Sequence, residues 1–254
     1  MTISETSSSI HERLLAVQER IARAAALAGR DPASIALVAV SKTQPAELVQ
    51  AAFAAGQLVF GENRIEEAQG KMLSLGGLKG LEWHMIGHVQ SRKAREAASA
   101  GFALIQSVDT LKLAERLGQF SAARGQRQGV LLEMNVSGES SKAGFRAEAR
   151  ERWPALVPIL KQAAETASLE VRGLMTMAPQ VAEPKMARPY FERLRELSDY
   201  LAEQGVLGPA RVLSMGMSDD FEAAIEAGAT MVRIGRAIFG ERDELLAQRD
   251  QSKE

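Results

Sequence analysis

Short apolar runs alternate with amphipathic stretches along the whole chain. The runs begin near Ile35-Ala36-Leu37-Val38, Leu58-Val59-Phe60, Trp83-His84-Met85-Ile86 and Ala103-Leu104-Ile105. They continue at Val130-Leu131-Leu132-Glu133-Met134, Val171-Arg172-Gly173-Leu174-Met175, Arg211-Val212-Leu213 and Met231-Val232-Arg233-Ile234. Each reads as a strand. The stretches between them predict helices over about 45–55, 64–74, 111–124, 147–167, 186–204 and 219–227. A short helix is expected after Gln90, and a short, weaker one after Phe239. Ahead of them all, Ile10, Leu14, Val17 and Ile21 recur at helical spacing, so a first helix is expected over about 10–28, closed by Gly29.

Strands that alternate with helices imply parallel pairing through right-handed crossovers. Eight such units match a (β/α)8 barrel of the TIM type, which takes about 250 residues. A doubly wound open sheet is the competing architecture. It usually has fewer strands and a glycine-rich turn after the first one, whereas Ser41-Lys42-Thr43 contains no glycine. No Gly/Ser/Pro-rich linker divides the chain, so residues 1–254 read as a single barrel domain with flexible ends at 1–9 and 248–254. The longest irregular stretch, Pro179 to Pro189, is positioned to cover a barrel mouth.

Composition narrows the class. The formal charge is −1 and 25% of residues are charged, which gives no electrostatic reason to expect nucleic acid or an anionic membrane as partner. The chain has no cysteine, which excludes disulfides, thiolate metal sites and a cysteine nucleophile. MTISETSSSI lacks the basic region and apolar core of a secretory signal, and no apolar stretch reaches the roughly 20 residues of a membrane span. The expectation is a soluble cytoplasmic protein, and a barrel of this size can stand as a monomer.

In a barrel the chemistry belongs at the C-terminal ends of the strands. Those ends carry Ser41-Lys42, Gly61-Glu62-Asn63-Arg64, His84 with Gly87 and His88, and Ser107 with Asp109. The later strands contribute Asn135-Val136-Ser137-Gly138, Met175-Thr176-Met177, Ser214-Met215-Gly216-Met217-Ser218 and Gly235-Arg236. Two glycine-bearing ends after the last two strands suit a phosphate, because free N–H groups at a helix start attract anions. Ser218 also reads as the N-cap of the following helix. Arg233 stands in an otherwise buried run, so it needs either a carboxylate partner, for which Glu133 is placed, or a ligand acceptor.

A lysine beside a phosphate site at a barrel mouth is suited to Schiff-base chemistry. Two ligand classes fit Lys42: a phosphosugar, or pyridoxal phosphate (PLP) held through its aldehyde, phosphate and ring nitrogen. Arg233 favours the second, since an arginine is one of the known partner types for a pyridine nitrogen, which it would keep unprotonated. Other signals are weaker. His84 and His88 lie four apart, a zinc spacing on a helix but not at a strand end. With three histidines in the chain, a Ser-His-Asp triad has little support. Lys142 reads as a solvated loop lysine, with a secondary PLP contact as the alternative. Met175, Met177, Met215 and Met217 read as packing around the mouth.

The segments AVSKTQP, FGENRIEEAQGK, WHMIGHVQSRK, NVSGESSKAGF, RGLMTMAP and LSMGMSDDFEAAIEAGATMVRIGRAIFG closely resemble the pyridoxal phosphate homeostasis protein family, in order from about Leu37 to Gly240. The resemblance implies a fold-type III barrel like the N-terminal domain of alanine racemase, without a second domain. It implies PLP as an internal aldimine on Lys42, with phosphate on Ser214, Gly235 and Arg236, Arg233 facing the pyridine nitrogen, and Asn63 beside the cofactor. It also implies a carrier or regulator of intracellular PLP (vitamin B6) rather than an enzyme, with PLP-dependent apo-enzymes as possible recipients. Arg236 departs from the family, where threonine is common, as does Ser91-Arg92-Lys93, where SNK is commoner. A PLP-dependent racemase is the alternative. It needs two acid–base groups on opposite faces of the substrate, and beyond Lys42 the chain offers only Tyr190 and Tyr200, both in the helix after the sixth strand.

Overall fold

A computed structural model describes residues 3–240, with side chains from Ser8 onward. The N-terminal helix α1 (Ile3–Leu27) starts earlier than the apolar spacing indicates. It is followed by β1 (Ala36–Val40), α2 (Ala46–Ala54), β2 (Val59–Glu62), α3 (Ile65–Ser74), β3 (Glu82–Met85), α4 (Ala94–Ser99), β4 (Leu104–Val108), α5 (Leu111–Ala122) and β5 (Gln128–Asn135). The second half holds β6 (Phe145–Arg146), α6 (Trp153–Ala164), β7 (Leu169–Met175), α7 (Arg188–Glu203), β8 (Val212–Ser214), α8 (Phe221–Glu226), β9 (Met231–Ile234) and α9 (Arg236–Phe239). The expected flexible tail at 248–254 and the expected helix beyond Phe239 lie outside the described residues.

Eight strands pair in parallel in the order β4-β3-β2-β1-β9-β8-β7-β5, and β5 pairs back onto β4, which closes the barrel. An open sheet is thereby excluded. β6, a two-residue strand that pairs with Met134 and Asn135 at the end of β5, has no counterpart in the sequence reading. Two other expectations change. The segment 147–167 is helical only from a 3-10 turn at Arg150–Arg152 onward. The stretch 179–189 is not irregular throughout, because a 3-10 turn at Pro184–Ala187 runs directly into α7.

Alternation along the strands sorts side chains to two faces. Outward residues such as Ala39, Phe60, Ile105, Leu132 and Ile234 join the helices in the larger apolar core. Inward residues Val38, Leu104, Leu131, Met175 and Met231, with Val59 and Val212 against them, fill a layer inside the barrel. Each buried aliphatic side chain contributes roughly 1.5–3 kcal/mol. α1 lays Leu14, Val17 and Ile21 against this shell, and Arg20 pairs with Glu222 of α8 at 2.6 Å.

Candidate functional site

Two residues beyond the inner apolar layer, the same inward positions turn polar. Leu104 is followed by Gln106, Leu131 by Glu133, Val212 by Ser214 and Met231 by Arg233, and all four are buried. Arg233, only 4% exposed, donates from Nη1 to Ser214 Oγ at 2.6 Å and from Nη2 to the Thr176 carbonyl at 2.9 Å. Burial lowers its pKa to about 10, while the carboxylates of Glu133 and Asp220 pull the other way, so it stays charged at neutral pH. Glu133 thus acts on Arg233 through its field, while a hydroxyl and a carbonyl supply the hydrogen bonds.

Ser214 Oγ in turn donates a hydrogen bond to Gln106 Oε1 at 2.6 Å. Gln106 Nε2 then meets His84 Nδ1 at 2.9 Å and Met231 Sδ at 3.2 Å. Burial, aided by the charge of Arg172, pushes His84 down to about 4, so the ring is neutral. Nδ1 accepts from Gln106, which places the ring proton on Nε2. Burial first, and Asp109 second, raise Glu133 to about 7 against the pull of Arg233 and His88.

One further step along the strands reaches the mouth, where Lys42, Asn63, Asn135, Met177 and Gly235 stand four residues past Val38, Val59, Leu131, Gly173 and Met231. Lys42 and Asn63 are half-buried. Ser41, next to Lys42, turns outward and donates to Glu62 Oε1 at 2.7 Å, in a buried group with Lys71. Asn63 is held by its backbone. A Cβ on Gly87 would lie 2.3 Å from the Asn63 carbonyl oxygen, so the loop after β3 reaches this position only as glycine. Ser107 Oγ fixes the Gly87 carbonyl at 2.6 Å.

Gly235 ends β9 and precedes the first turn of α9, and its carbonyl accepts from Ile238 and Phe239 at 2.9 Å. A Cβ there would lie 3.2 Å from the Val40 carbonyl oxygen, so β9 runs tight against β1 below Lys42. The Arg236 guanidinium turns to the rim and pairs with Asp219. Ser218 does not cap α8. Asp220 is the N-cap, and its Oδ1 accepts from the Met217 N–H at 2.7 Å.

The two histidines diverge. His84 enters the barrel, while His88 pairs with Asp109 at 2.9 Å on the rim, and no group of three or more metal-binding side chains occurs among the described residues. Lys142 is held rather than solvated: at 21% side-chain exposure it donates to the Met177 carbonyl at 3.1 Å and pairs with Glu139 at 2.8 Å. Met175 and Met215 are buried, and Met177 and Met217 are exposed at the mouth. Tyr190 and Tyr200 both lie on α7 in the outer ring, Tyr190 against Arg193 and Tyr200 against Trp153. Sequence reasoning missed Gln106 and Lys71, and it placed Thr176 at a strand end without giving it a role. Gln106 alone left a signal, a lone amide in the apolar run Ala103-Leu104-Ile105-Gln106.

Lys42, Asn63, Ser214, Arg233, Gly235 and Arg236 therefore lie on or just beyond β1, β2, β8 and β9, four successive staves of the barrel. The alanine racemase N-terminal domain family matches residues 13–243. The pyridoxal phosphate homeostasis protein of Pseudomonas aeruginosa is 48% identical over 236 residues, 93% of this chain and 97% of that one. Its counterpart in Escherichia coli is 41% identical over 240 residues, 93% of this chain and 98% of that one. Among solved structures, PipY of Synechococcus elongatus with PLP bound superposes with a TM-score of 0.77 at 35% identity, covering 91% of this chain and all (100%) of that one. An alanine racemase from Corynebacterium glutamicum shares the fold, with a TM-score of 0.67 at 18% identity, over 93% of this chain and 62% of that one. With a complete barrel of the alanine racemase type and relatives that match it nearly end to end, the chain belongs to the pyridoxal phosphate homeostasis protein family.

Proposed function

We propose that this protein holds PLP at the mouth of its barrel and serves as an intracellular carrier or regulator of the cofactor. The observation that carries the reading is the register of β1 on β9, in which Val38 pairs with Arg233 and Ala39 with Ile234. That register sets Lys42, Gly235 and Arg233 on adjacent staves. An amine and a backbone suited to an anion thus stand at the mouth, with a buried cation one step deeper on the strand that carries the backbone site. PLP presents an aldehyde, a phosphate and a ring nitrogen, and when bound it supplies an electron-withdrawing ring.

In this reading the Lys42 amine condenses with the aldehyde and releases water. The N–H groups at the start of α9, at Gly235 and Arg236, receive the phosphate, and Asn63 lines the side of the ring. Arg233 donates toward the pyridine nitrogen and leaves it unprotonated, which weakens the ring as an electron sink and suits holding over turnover. Ser214, which the family resemblance assigns to the phosphate, also has its hydroxyl between Gln106 and Arg233 and so orients Arg233. Both tyrosines lie on the outer helical ring, which favours a carrier over a racemase. PLP-dependent apo-enzymes are the fitting recipients. Among the described residues no helix is long and apolar enough to cross a membrane.

The test is incubation with PLP, borohydride reduction and peptide mapping by mass spectrometry, alongside an alanine racemisation assay. A phosphopyridoxyl group on the Lys42 peptide without turnover is the expected result. An unmodified Lys42 overturns the binding reading, and racemisation at about 1 per second or faster overturns the carrier reading.

A further inference from the structure

Lys42 is a central residue of a tight turn. The Gln44 N–H donates to the Ser41 carbonyl at 3.0 Å, and Thr43 sits at φ +65°. A β-branched residue rarely adopts that left-handed conformation, and glycine or asparagine is usual there. Such an outlier persists only where its surroundings over-determine it.

Those surroundings come from β2 and α3, on the outer face of the barrel wall. Lys71 Nζ donates to the Ser41 carbonyl at 2.6 Å, to Glu62 Oε1 at 2.6 Å and to Glu67 Oε1 at 2.7 Å. Ser41 Oγ donates to the same Glu62 oxygen at 2.7 Å. Glu67 Oε1 accepts the Thr43 N–H at 2.6 Å. The Ser41 carbonyl and the Thr43 N–H belong to the two peptide groups that flank the Lys42 Cα. Fixing both fixes φ and ψ of Lys42. With Ser41 anchored outward, alternation turns the Lys42 side chain inward.

The cluster is a poor device for stability alone. The side chains of Glu62 and Lys71 are 0% and 7% exposed, and a buried ion pair gains little over apolar packing of the same shape. As a device for position it is strong, because charged hydrogen bonds from one ammonium and one carboxylate reach both sides of a single residue.

We propose that Glu62, Lys71 and Glu67 are the positioning residues of Lys42, holding its two flanking peptides from outside the barrel so that its amine points into the mouth. The proposal rests on the reading that Lys42 takes the cofactor. Its test therefore includes a measurement without PLP.

The variants are Lys71→Met, Glu67→Ala and the conservative Glu67→Gln, with Glu66→Gln, one residue away on the exposed face, as control. Circular dichroism checks the fold. If Lys71→Met does not fold, the partly exposed Glu67 carries the test. The first readout is the rate at which an acetylating ester modifies Lys42 without PLP, followed by peptide mass spectrometry. The second is the rate of borohydride-trapped labelling by PLP.

In Lys71→Met and Glu67→Ala the acetylation rate of Lys42 moves toward that of exposed lysines such as Lys112 and Lys161. PLP labelling in the same variants slows by about tenfold or more, as misplacement of a reacting group does. Glu67→Gln, which keeps an acceptor for the Thr43 N–H, restores both rates, and Glu66→Gln changes neither. An unchanged acetylation rate in the folded variants overturns the proposal whatever PLP does, as does an unchanged PLP rate when the wild type is labelled. A changed acetylation rate with no PLP labelling of wild-type Lys42 overturns the cofactor reading and leaves the positioning role standing.

Discussion

The Ser214 hydroxyl lies between Arg233 Nη1 and Gln106 Oε1, 2.6 Å from each, and joins β9 to β4 across the interior of the barrel. It accepts from the guanidinium and donates to the amide, so both of its hydrogen-bonding senses are fixed. Ser214→Ala leaves a buried donor and a buried acceptor unmatched, and a loss of about 1–3 kcal/mol in urea unfolding is expected. Gln106→Ala alone strands Ser214 in the same chain of bonds. A double-mutant cycle between the two is therefore expected to show coupling above about 0.5 kcal/mol. Additive losses would mean that Ser214 holds Arg233 without help from Gln106.

Glu133 makes stability depend on pH in an unusual direction. Its folded pKa, about 7, lies above the ordinary value of 4.5, so the folded state binds the proton more tightly. Its contribution is complete below pH 4.5 and is lost as pH rises through 7. The full difference is roughly 3 kcal/mol. Glu133→Gln keeps the neutral shape and removes the titration. Its stability relative to wild type should therefore rise between pH 5 and pH 8 in chemical denaturation. A difference that stays flat with pH contradicts the raised pKa.

Much of this arrangement is legible in the sequence because a barrel repeats one local rule. Each strand announces itself as a short apolar run, and counting two residues at a time from Val38 or Met231 leads to Lys42 and Gly235. What stays hidden depends on contacts between distant strands. Ser214 and Gln106 are 108 positions apart, and nothing near either predicts their bond. Lys71 pairs with Glu67 at i,i+4, which reads as an ordinary solvated helix pair until Glu62 and the Ser41 carbonyl close over it. β6 spans two residues, too few for any period to show. At the start of α8, Ser218, Asp219 and Asp220 are all acceptable caps, and Asp220 takes the position without a side-chain cap bond, its carboxylate accepting from the Met217 N–H ahead of the helix instead.

Two glycines give opposite expectations. Gly87→Ala drives a methyl group to within 2.3 Å of the Asn63 carbonyl oxygen, where backbone must move. A cost of about 1–3 kcal/mol is expected, together with weaker PLP binding through a displaced Asn63. Gly70 lies inside α3 with nothing within 4 Å of an added Cβ. Gly70→Ala should stabilise by about 0.5–1 kcal/mol through helix propensity. Thermal melts in parallel decide it, and a Gly87→Ala protein as stable as wild type would mean that the loop after β3 does not set the position of Asn63.

Arg236 stands where the family resemblance leads to an expectation of threonine, and its guanidinium pairs with Asp219 at the rim. Side-chain exposures of 53% and 73% make that pair a minor contributor, and Arg236→Thr should change stability by less than about 1 kcal/mol. If the phosphate is held by backbone N–H groups at the start of α9, PLP affinity should survive the substitution. The threonine hydroxyl, placed beside those groups, should leave it equal or tighter. Titration of apo-protein with PLP at low and high salt separates the possibilities. A guanidinium on the phosphate would make the wild-type affinity fall with salt and the Arg236→Thr affinity drop by tenfold or more, about 1.4 kcal/mol. Salt-independent binding that is preserved in Arg236→Thr places the anion on the backbone, where a change of side chain at this position is tolerated because the contact never depended on it.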